Sequence, residues 1–255
     1  MKAVILNKKQ LGTGLLLGIW LVVLITVFLL TLTQKTEARA QERRLPVYSV
    51  ERSDRRVALT FDVAWGDETT DEVLALLEEN GVKATFFFVG TFAEKYPDSV
   101  KKIAAAGHEI GNHSYDHTDP TRCDTEELTK DMRRCNELLE RLTGIVPKLY
   151  RAPSGAYSDR SITAAESLGM TSVQWDADSI DWKDPTPDEI VERIRSALHP
   201  GSILLFHLGK QNTLQALPKV LTLFVEGHYQ PVTVSELLLS GNTFVDANGC
   251  QHPAR

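Results

Sequence analysis

Sulfur chemistry is nearly absent from this 255-residue chain: Cys123, Cys135 and Cys250 are its only cysteines, too few for a disulfide framework. Were Cys123 and Cys135 to flank one helix, a rise of about 1.5 Å per residue would put them roughly 18 Å apart, beyond bridging distance. No long basic run follows the first residues and the formal net charge is -6, which argues against a nucleic-acid surface. Internal repeats and low-complexity tracts are also missing, which removes solenoid and fibrous architectures. No serine or cysteine elbow of the kind that presents an acyl-enzyme nucleophile is found, which disfavours a metal-independent hydrolase. The length allows one domain of ordinary size plus a leader.

At the amino terminus stands an apolar run, Leu15 through Leu32, nearly uncharged and about as long as a bilayer core requires. Behind Lys2, Lys8 and Lys9 it predicts a transmembrane anchor. On that reading 1–33 is cytoplasmic tip and anchor, 34–54 a charged stalk, 55–240 the working domain and 241–255 a tail. The expected placement is the cell membrane, single-pass, with the domain extracytoplasmic, although Lys35, Arg39, Arg43 and Arg44 blunt the charge asymmetry. Ala38-Arg39-Ala40 has the form of a cleavage site, so a secreted product is the alternative.

From Val57 the pattern becomes one of βα units. Strands are predicted over 57–63, 84–90, 108–112, 148–151, 171–176, 202–207 and 230–234. Helices are predicted over 69–79, 97–106, 125–143, 158–168, 187–198 and 213–226. Seven strands fall short of the regular eight-stranded barrel, so the expected α/β fold is a distorted seven-stranded (β/α) barrel, with a doubly wound open sheet as the alternative. Either architecture gathers the carboxyl ends of its strands on one face, and there the polar residues of this chain fall.

Asp62 ends the first apolar strand, in Thr60-Phe61-Asp62-Val63-Ala64-Trp65-Gly66-Asp67, where a general base would sit. Asp67, close to the expected helix start, suits a capping role better. His113 and His117, four apart in His113-Ser114-Tyr115-Asp116-His117, can face the same way on a turn, and neutral imidazole is a favoured ligand of zinc and related ions. Arg151 leads the extended Arg151-Ala152-Pro153-Ser154-Gly155 and can grip a carboxylate through two parallel hydrogen bonds, with Asp62 the natural partner. Asp178-Ser179-Ile180-Asp181-Trp182 and Leu204-Leu205-Phe206-His207 complete the set. A strand-end histidine beside a carboxylate can serve as general acid, and Trp182 can line an acyl pocket.

In this order the motifs resemble those of the polysaccharide deacetylases of the NodB-homology class, a carbohydrate esterase family, over roughly residues 57–238. The resemblance implies a metal-dependent hydrolase that removes acetyl from the N-acetylated sugars of a cell-wall polysaccharide, peptidoglycan or a chitin-like polymer. It implies His113 and His117 as ligands of a divalent ion, zinc foremost, with cobalt or manganese open. Asp62 would be the base, steadied by Arg151, and His207 the acid, oriented by Asp181. A backbone amide near Ser154, with Trp182 and Leu205, would meet the substrate. The first motif of the family normally carries a second aspartate where this chain has Val63, which leaves the third ligand to Asp67, Asp62 or water. Ala152 and Ser154 stand where proline and tyrosine are common. The stretch after Val63, with the leading apolar run, is similar to a sporulation-associated, membrane-anchored subgroup of Gram-positive spore formers. The alternative function is a membrane-tethered glycan-binding pseudoenzyme with a weakened metal site. Expected partners are the polysaccharide and, through the leader, the membrane, with no nucleic acid and the oligomeric state open.

Overall fold

The computed structural model describes residues 19–29 and 44–254. The chain divides into two units between Arg43 and Arg44. In the first, residues 19–29 are helical. Among the described residues no helix is long and apolar enough to cross a membrane. This overturns the expected single-pass anchor and the membrane placement built on it. The rest of the 15–32 run, and 34–43 of the expected stalk, lie outside the described residues.

The second unit alternates strands and helices. It opens with β1 (Ser49–Val50), β2 (Arg56–Val63), α1 (Thr70–Glu79), β3 (Thr85–Phe88), α2 (Gly90–Lys95), α3 (Pro97–Ala105) and β4 (Glu109–Asn112). The middle holds α4 (Thr125–Thr143), β5 (Leu149–Tyr150), α5 (Asp159–Ser167), β6 (Thr171–Ser172), β7 (Ala177–Asp178) and α6 (Pro187–Ala197). It closes with β8 (Ile203–His207), α7 (Gln211–Glu226), β9 (Gln230–Val232), α8 (Val234–Leu237), β10 (Thr243–Val245) and β11 (Cys250–Pro253).

The main sheet runs β6-β5-β4-β3-β2-β8-β7, with β9 beside the start of β2, and every pairing in it is parallel. Its outermost strands, β6 and β7, are separated in sequence only by 173–176, a span that reaches at most about 17 Å. The two edges of the sheet therefore face each other, and it curls into an incomplete barrel instead of spreading as an open sheet. Because β7 pairs separately at Ala177–Asp178, eight strands replace the expected seven, and the predicted 171–176 strand holds only at its start, as β6. Its middle bonds elsewhere: the Gln174 N–H donates to Val47 and the Asp176 carboxylate accepts the Ile203 N–H at 2.9 Å.

Strand β2 is buried from Val57 through Val63, as expected of a parallel strand covered on both faces. Val57, Leu59, Phe61 and Val63 join Leu77, Ile194 and Leu217 in the main core under the helices. Ala58 packs inside the curl with Phe87, Leu149 and Ile203. The period of two along a strand places Thr60 and Asp62 with Ala58. Helix α4 starts on a reciprocal cap, in which the Asp124 carboxylate accepts the Glu127 N–H and the Glu127 carboxylate accepts the Asp124 N–H, each at 2.9 Å. It stops at Gly144, whose φ of 73° is the left-handed conformation that ends helices.

Residues 44–54 and 241–254, expected as stalk and tail, are part of this unit. β1 runs parallel to β11, which is antiparallel to β10, and Val47 and Val50 are buried. All three cysteines are free, Cys135 buried inside α4.

Candidate active site

Register carries the polar residues to one end of the sheet. Asp62 lies opposite His207 across β2 and β8, Asn112 closes β4 opposite Tyr150, and Asp178 closes β7. Beyond these ends opens a cavity of about 420 Å³, within the size range of ligand sites. Of the residues singled out from sequence, Asp62, His113, His117, Ser154, Trp182, Leu205 and His207 all line it.

Arg151 is fully buried beneath this cavity and donates from Nη1 to Asp62 Oδ1 at 2.9 Å. The grip is single, not the two parallel bonds expected, because the guanidinium is shared: Nη1 also donates to Thr60 Oγ1 at 2.8 Å and Nη2 to the Gln174 carbonyl at 3.0 Å. Its plane lies 4.1 Å from the centre of the Phe87 ring. Burial by itself would raise the Asp62 carboxyl, but His113, Arg151 and His207 outweigh it and hold the group below the ordinary carboxylate value. Asp62 is thus an ionised acceptor in a buried setting.

The histidine pair sits on the loop after β4, not on a helix. Ser114 and His117 both adopt left-handed backbone, with φ of 71° and 55°, so the chain doubles back and the two imidazoles meet edge to face, 5.1 Å between centres. Asn112 anchors the bend by donating to the Met132 carbonyl and accepting the Ser114 N–H, each at 2.8 Å, while Asp131 of α4 accepts the Tyr115 N–H at 2.9 Å. His113 Nδ1 lies 2.8 Å from the Arg151 carbonyl, a contact only a protonated Nδ1 makes, which leaves Nε2 bare and 3.3 Å from Asp62 Oδ2. Burial pushes His113 down to about 4 and also lowers His117, so both rings are neutral at neutral pH.

On the other side His207 Nδ1 lies 2.6 Å from Asp181 Oδ1, and Asp181 Oδ2 accepts the His207 backbone N–H at 2.7 Å and the Thr213 hydroxyl. Asp181 is fully buried. Desolvation would lower the His207 imidazole, but the hydrogen bond and charge of Asp181, with Asp62 and Asp178, more than offset it and raise the group above its ordinary value. The ring keeps Nε2 for the cavity it lines.

Ser154 stands in a one-turn helix, Pro153–Gly155, at φ 55°, a left-handed conformation that costs about 1–2 kcal/mol for a non-glycine residue. Gln174 Nε2 donates to the Gly155 carbonyl at 3.1 Å and holds that turn.

Asp67 is not brought to the histidines. Its carboxylate accepts the Ser99 hydroxyl at 2.7 Å, and its carbonyl accepts the Thr70 N–H. Val63 points into the core. Among the described residues no group of three His, Cys, Asp or Glu is arranged to hold a metal. The donor set that does fit is the imidazole pair: neutral, converging, and with the His113 tautomer fixed by a carbonyl as metal-bound histidines usually are. That is two protein ligands where catalytic zinc usually has three.

Sequence reasoning gave no role to Trp65 and Trp175, which also line the cavity, nor to Asn112, Asp131, Thr60 and Gln174, which hold the functional groups in place. The signal open to it was position: Trp65 follows a strand end, and Asn112 directly precedes the first histidine.

Residues 49–173 match the family model described as polysaccharide deacetylase. The chain is 37% identical over 169 residues to a peptidoglycan-N-acetylglucosamine deacetylase of Bacillus cereus, covering 65% of this chain and 62% of that protein. It is 33% identical over 171 residues to a chitooligosaccharide deacetylase of Rhizobium leguminosarum, covering 67% of this chain and 80% of the relative. Among solved structures it resembles, with TM-score 0.73 and 33% identity over 75% of this chain and 68% of the other, a CE4 family pseudoenzyme from Bacillus anthracis. A mutant of that pseudoenzyme is described as having restored enzymatic activity. The chain spans about three fifths of the length of the first two curated relatives it matches. The finer likeness to a sporulation-associated, membrane-anchored subgroup finds no support in these matches.

Proposed function

Given that the chain belongs to the polysaccharide deacetylase family, we propose that its cavity hydrolyses the N-acetyl groups of a cell-wall polysaccharide, with a divalent ion held by His113 and His117. One observation carries this reading: an ionised buried carboxylate, two neutral imidazoles and a carboxylate-bound imidazole open on the same cavity. The ion, when bound, lowers the pKa of water and polarises the acetyl carbonyl. Asp62, aimed by Arg151 and kept ionised, accepts the proton of the attacking water. The backbone N–H of Ser154 would donate to the carbonyl oxygen as it gains charge, since proline has none and the Gly155 N–H already serves the Ala152 carbonyl. His207 gives its Nε2 proton to the departing nitrogen as the C–N bond breaks, with Asp181 holding the opposite edge of the ring. Trp182, 47% exposed, and Leu205 offer apolar surface to the acetyl methyl.

A second reading, a glycan-binding pseudoenzyme, is favoured by one specific feature: Val63 leaves the metal with two protein ligands. Acetate release from peptidoglycan and from chitin oligosaccharides separates the two. Turnover that is lost in His113→Ala and Asp62→Asn supports the hydrolase. Near-zero rates in all three proteins, with glycan binding retained, support the binder.

A further inference from the structure

Trp65 has no part in the chemistry above, yet it stands over the residue that delivers the proton. Its indole lies against the His207 imidazole with 4.7 Å between ring centres and 30° between planes. The ring is 48% exposed and lines the cavity. An aromatic residue half open to water usually has freedom to turn, but the 64–67 turn that carries this one is pinned. The Gly209 N–H donates to Thr69 Oγ1 at 3.0 Å, and Gly209, at φ 86°, lies so near the turn that a Cβ there would stand 2.6 Å from the Gly66 carbonyl oxygen. The segment after β8 is thus hydrogen-bonded to Thr69 and closely packed on the turn after β2, which limits how far the indole can move from the imidazole. The Lys210 ammonium, bound to Asp184 at 2.8 Å, lies 5.0 Å from the centre of the same indole.

The Asp181 contact fixes only one edge of His207. A ring held by one hydrogen bond can still rock about that bond and swing Nε2 across the cavity. A flat surface laid on its face removes this motion and keeps water off that face, and an aromatic face also attracts a cation such as imidazolium. We propose that Trp65 is a positioning residue for His207: docked by Gly209, it clamps the imidazole so that Nε2 stays on the line of proton delivery. This rests on the deacetylase reading for its kinetic consequence, but the clamp itself is a property of the protein without substrate.

The experiment compares Trp65→Leu, Trp65→Phe and Gly209→Ala with the parent chain, each first checked by melting curve. Misplacing a catalytic group by about 1 Å can cost about 100-fold, so Trp65→Leu and Gly209→Ala are expected to lower kcat by about 10- to 100-fold with KM within about 3-fold, and Trp65→Phe to recover most of the loss. In parallel, the downfield Nδ1–H proton of His207 is followed by NMR. It should exchange with water faster in Trp65→Leu and Gly209→Ala than in the parent and stay slow in Trp65→Phe. A rise in KM at unchanged kcat would make Trp65 a sugar platform and overturn the clamp. Unchanged exchange of the His207 proton in a folded Trp65→Leu overturns it equally. If the parent chain releases no acetate, the deacetylase reading fails and the exchange measurement alone decides the clamp.

Discussion

The structure makes the loss of Arg151 costly. It is fully buried, and its guanidinium serves Asp62, Thr60 and the Gln174 carbonyl while lying over Phe87. Arg151→Met fills much of the volume but leaves the Asp62 charge in a desolvated site without its main cation. Deleting one partner of such a buried pair costs about 3–5 kcal/mol. For a domain of this size each kcal/mol moves Tm by about 2–4 °C, so melting is expected to fall by about 6–20 °C. Asp62→Asn, which strands the arginine instead, should cost a similar amount. The double variant removes both charges, and a coupling of about 1–3 kcal/mol is expected between the sites. The assay is denaturant unfolding with chelator present, so that metal affinity does not enter the balance. Single losses that simply add in the double variant, to within about 0.5 kcal/mol, would refute the pairing. Arg151→Lys at parental stability would refute it as well, since a single ammonium cannot reach three acceptors from a planar fork's position.

Because His207 is raised above its ordinary value, its stabilising contribution is fully present below the unfolded-state value and is lost as pH rises through the raised folded one. Stability should therefore decline as pH rises from the ordinary imidazole value to the raised one, the alkaline limb of kcat/KM should lie above the usual imidazole range, and Asp181→Asn should move the limb down; an unmoved limb counts against the pair. Chelation should abolish acetate release and zinc, cobalt or manganese restore it, with heat of binding absent in His113→Ala; activity that persists through chelation contradicts the metal. Ser154→Gly relieves a left-handed residue and should raise stability by about 1 kcal/mol while turnover persists, since only the backbone N–H is needed; a large fall in kcat would assign work to the hydroxyl. Val63→Asp places a carboxylate in the main core and should lower stability by about 3 kcal/mol or more without metal; an equally stable variant would show that position 63 can turn toward the histidines.

What was legible in the sequence was whatever depends on a strand alone. Parallel strands covered on both faces read as largely apolar runs, so β2, β3 and β8 were found, and a polar residue ending such a run marked Asp62 and His207, while His113 followed the lone Ile110 of β4. Lost were the features set by the partner across space. The 171–176 run looked like one strand, but it ends after Ser172, where the bonds to Val47 and Ile203 compete with the sheet. Strands β1, β10 and β11 are too short to show a period, and their sheet forms only because Ser49–Val50 meets the distant 243–253 segment. Asp67 looked free for a metal until Ser99 of α3 claimed it.

The exchange of an aspartate for Val63 shows why the two kinds of information differ in force. Sequence alone says that Val63 stands beside Asp62 where the resembled family normally carries a second aspartate, and leaves the third ligand to Asp67, Asp62 or water. The pleat separates the two positions: alternate side chains leave opposite faces, so residue 62 opens on the cavity while residue 63 joins Phe61 beneath the helices. With valine there, the strand keeps its pleat to its last residue and the core gains an apolar side chain, while the histidine pair is left with Asp62 as its nearest carboxylate. On the proposed reaction the same carboxylate would have to neighbour the ion and take the proton. That double demand would limit turnover on this reading, and the bond from Arg151 to Asp62 Oδ1 would be the interaction on which the balance turns: it reserves one oxygen on the arginine side and leaves Oδ2 facing His113.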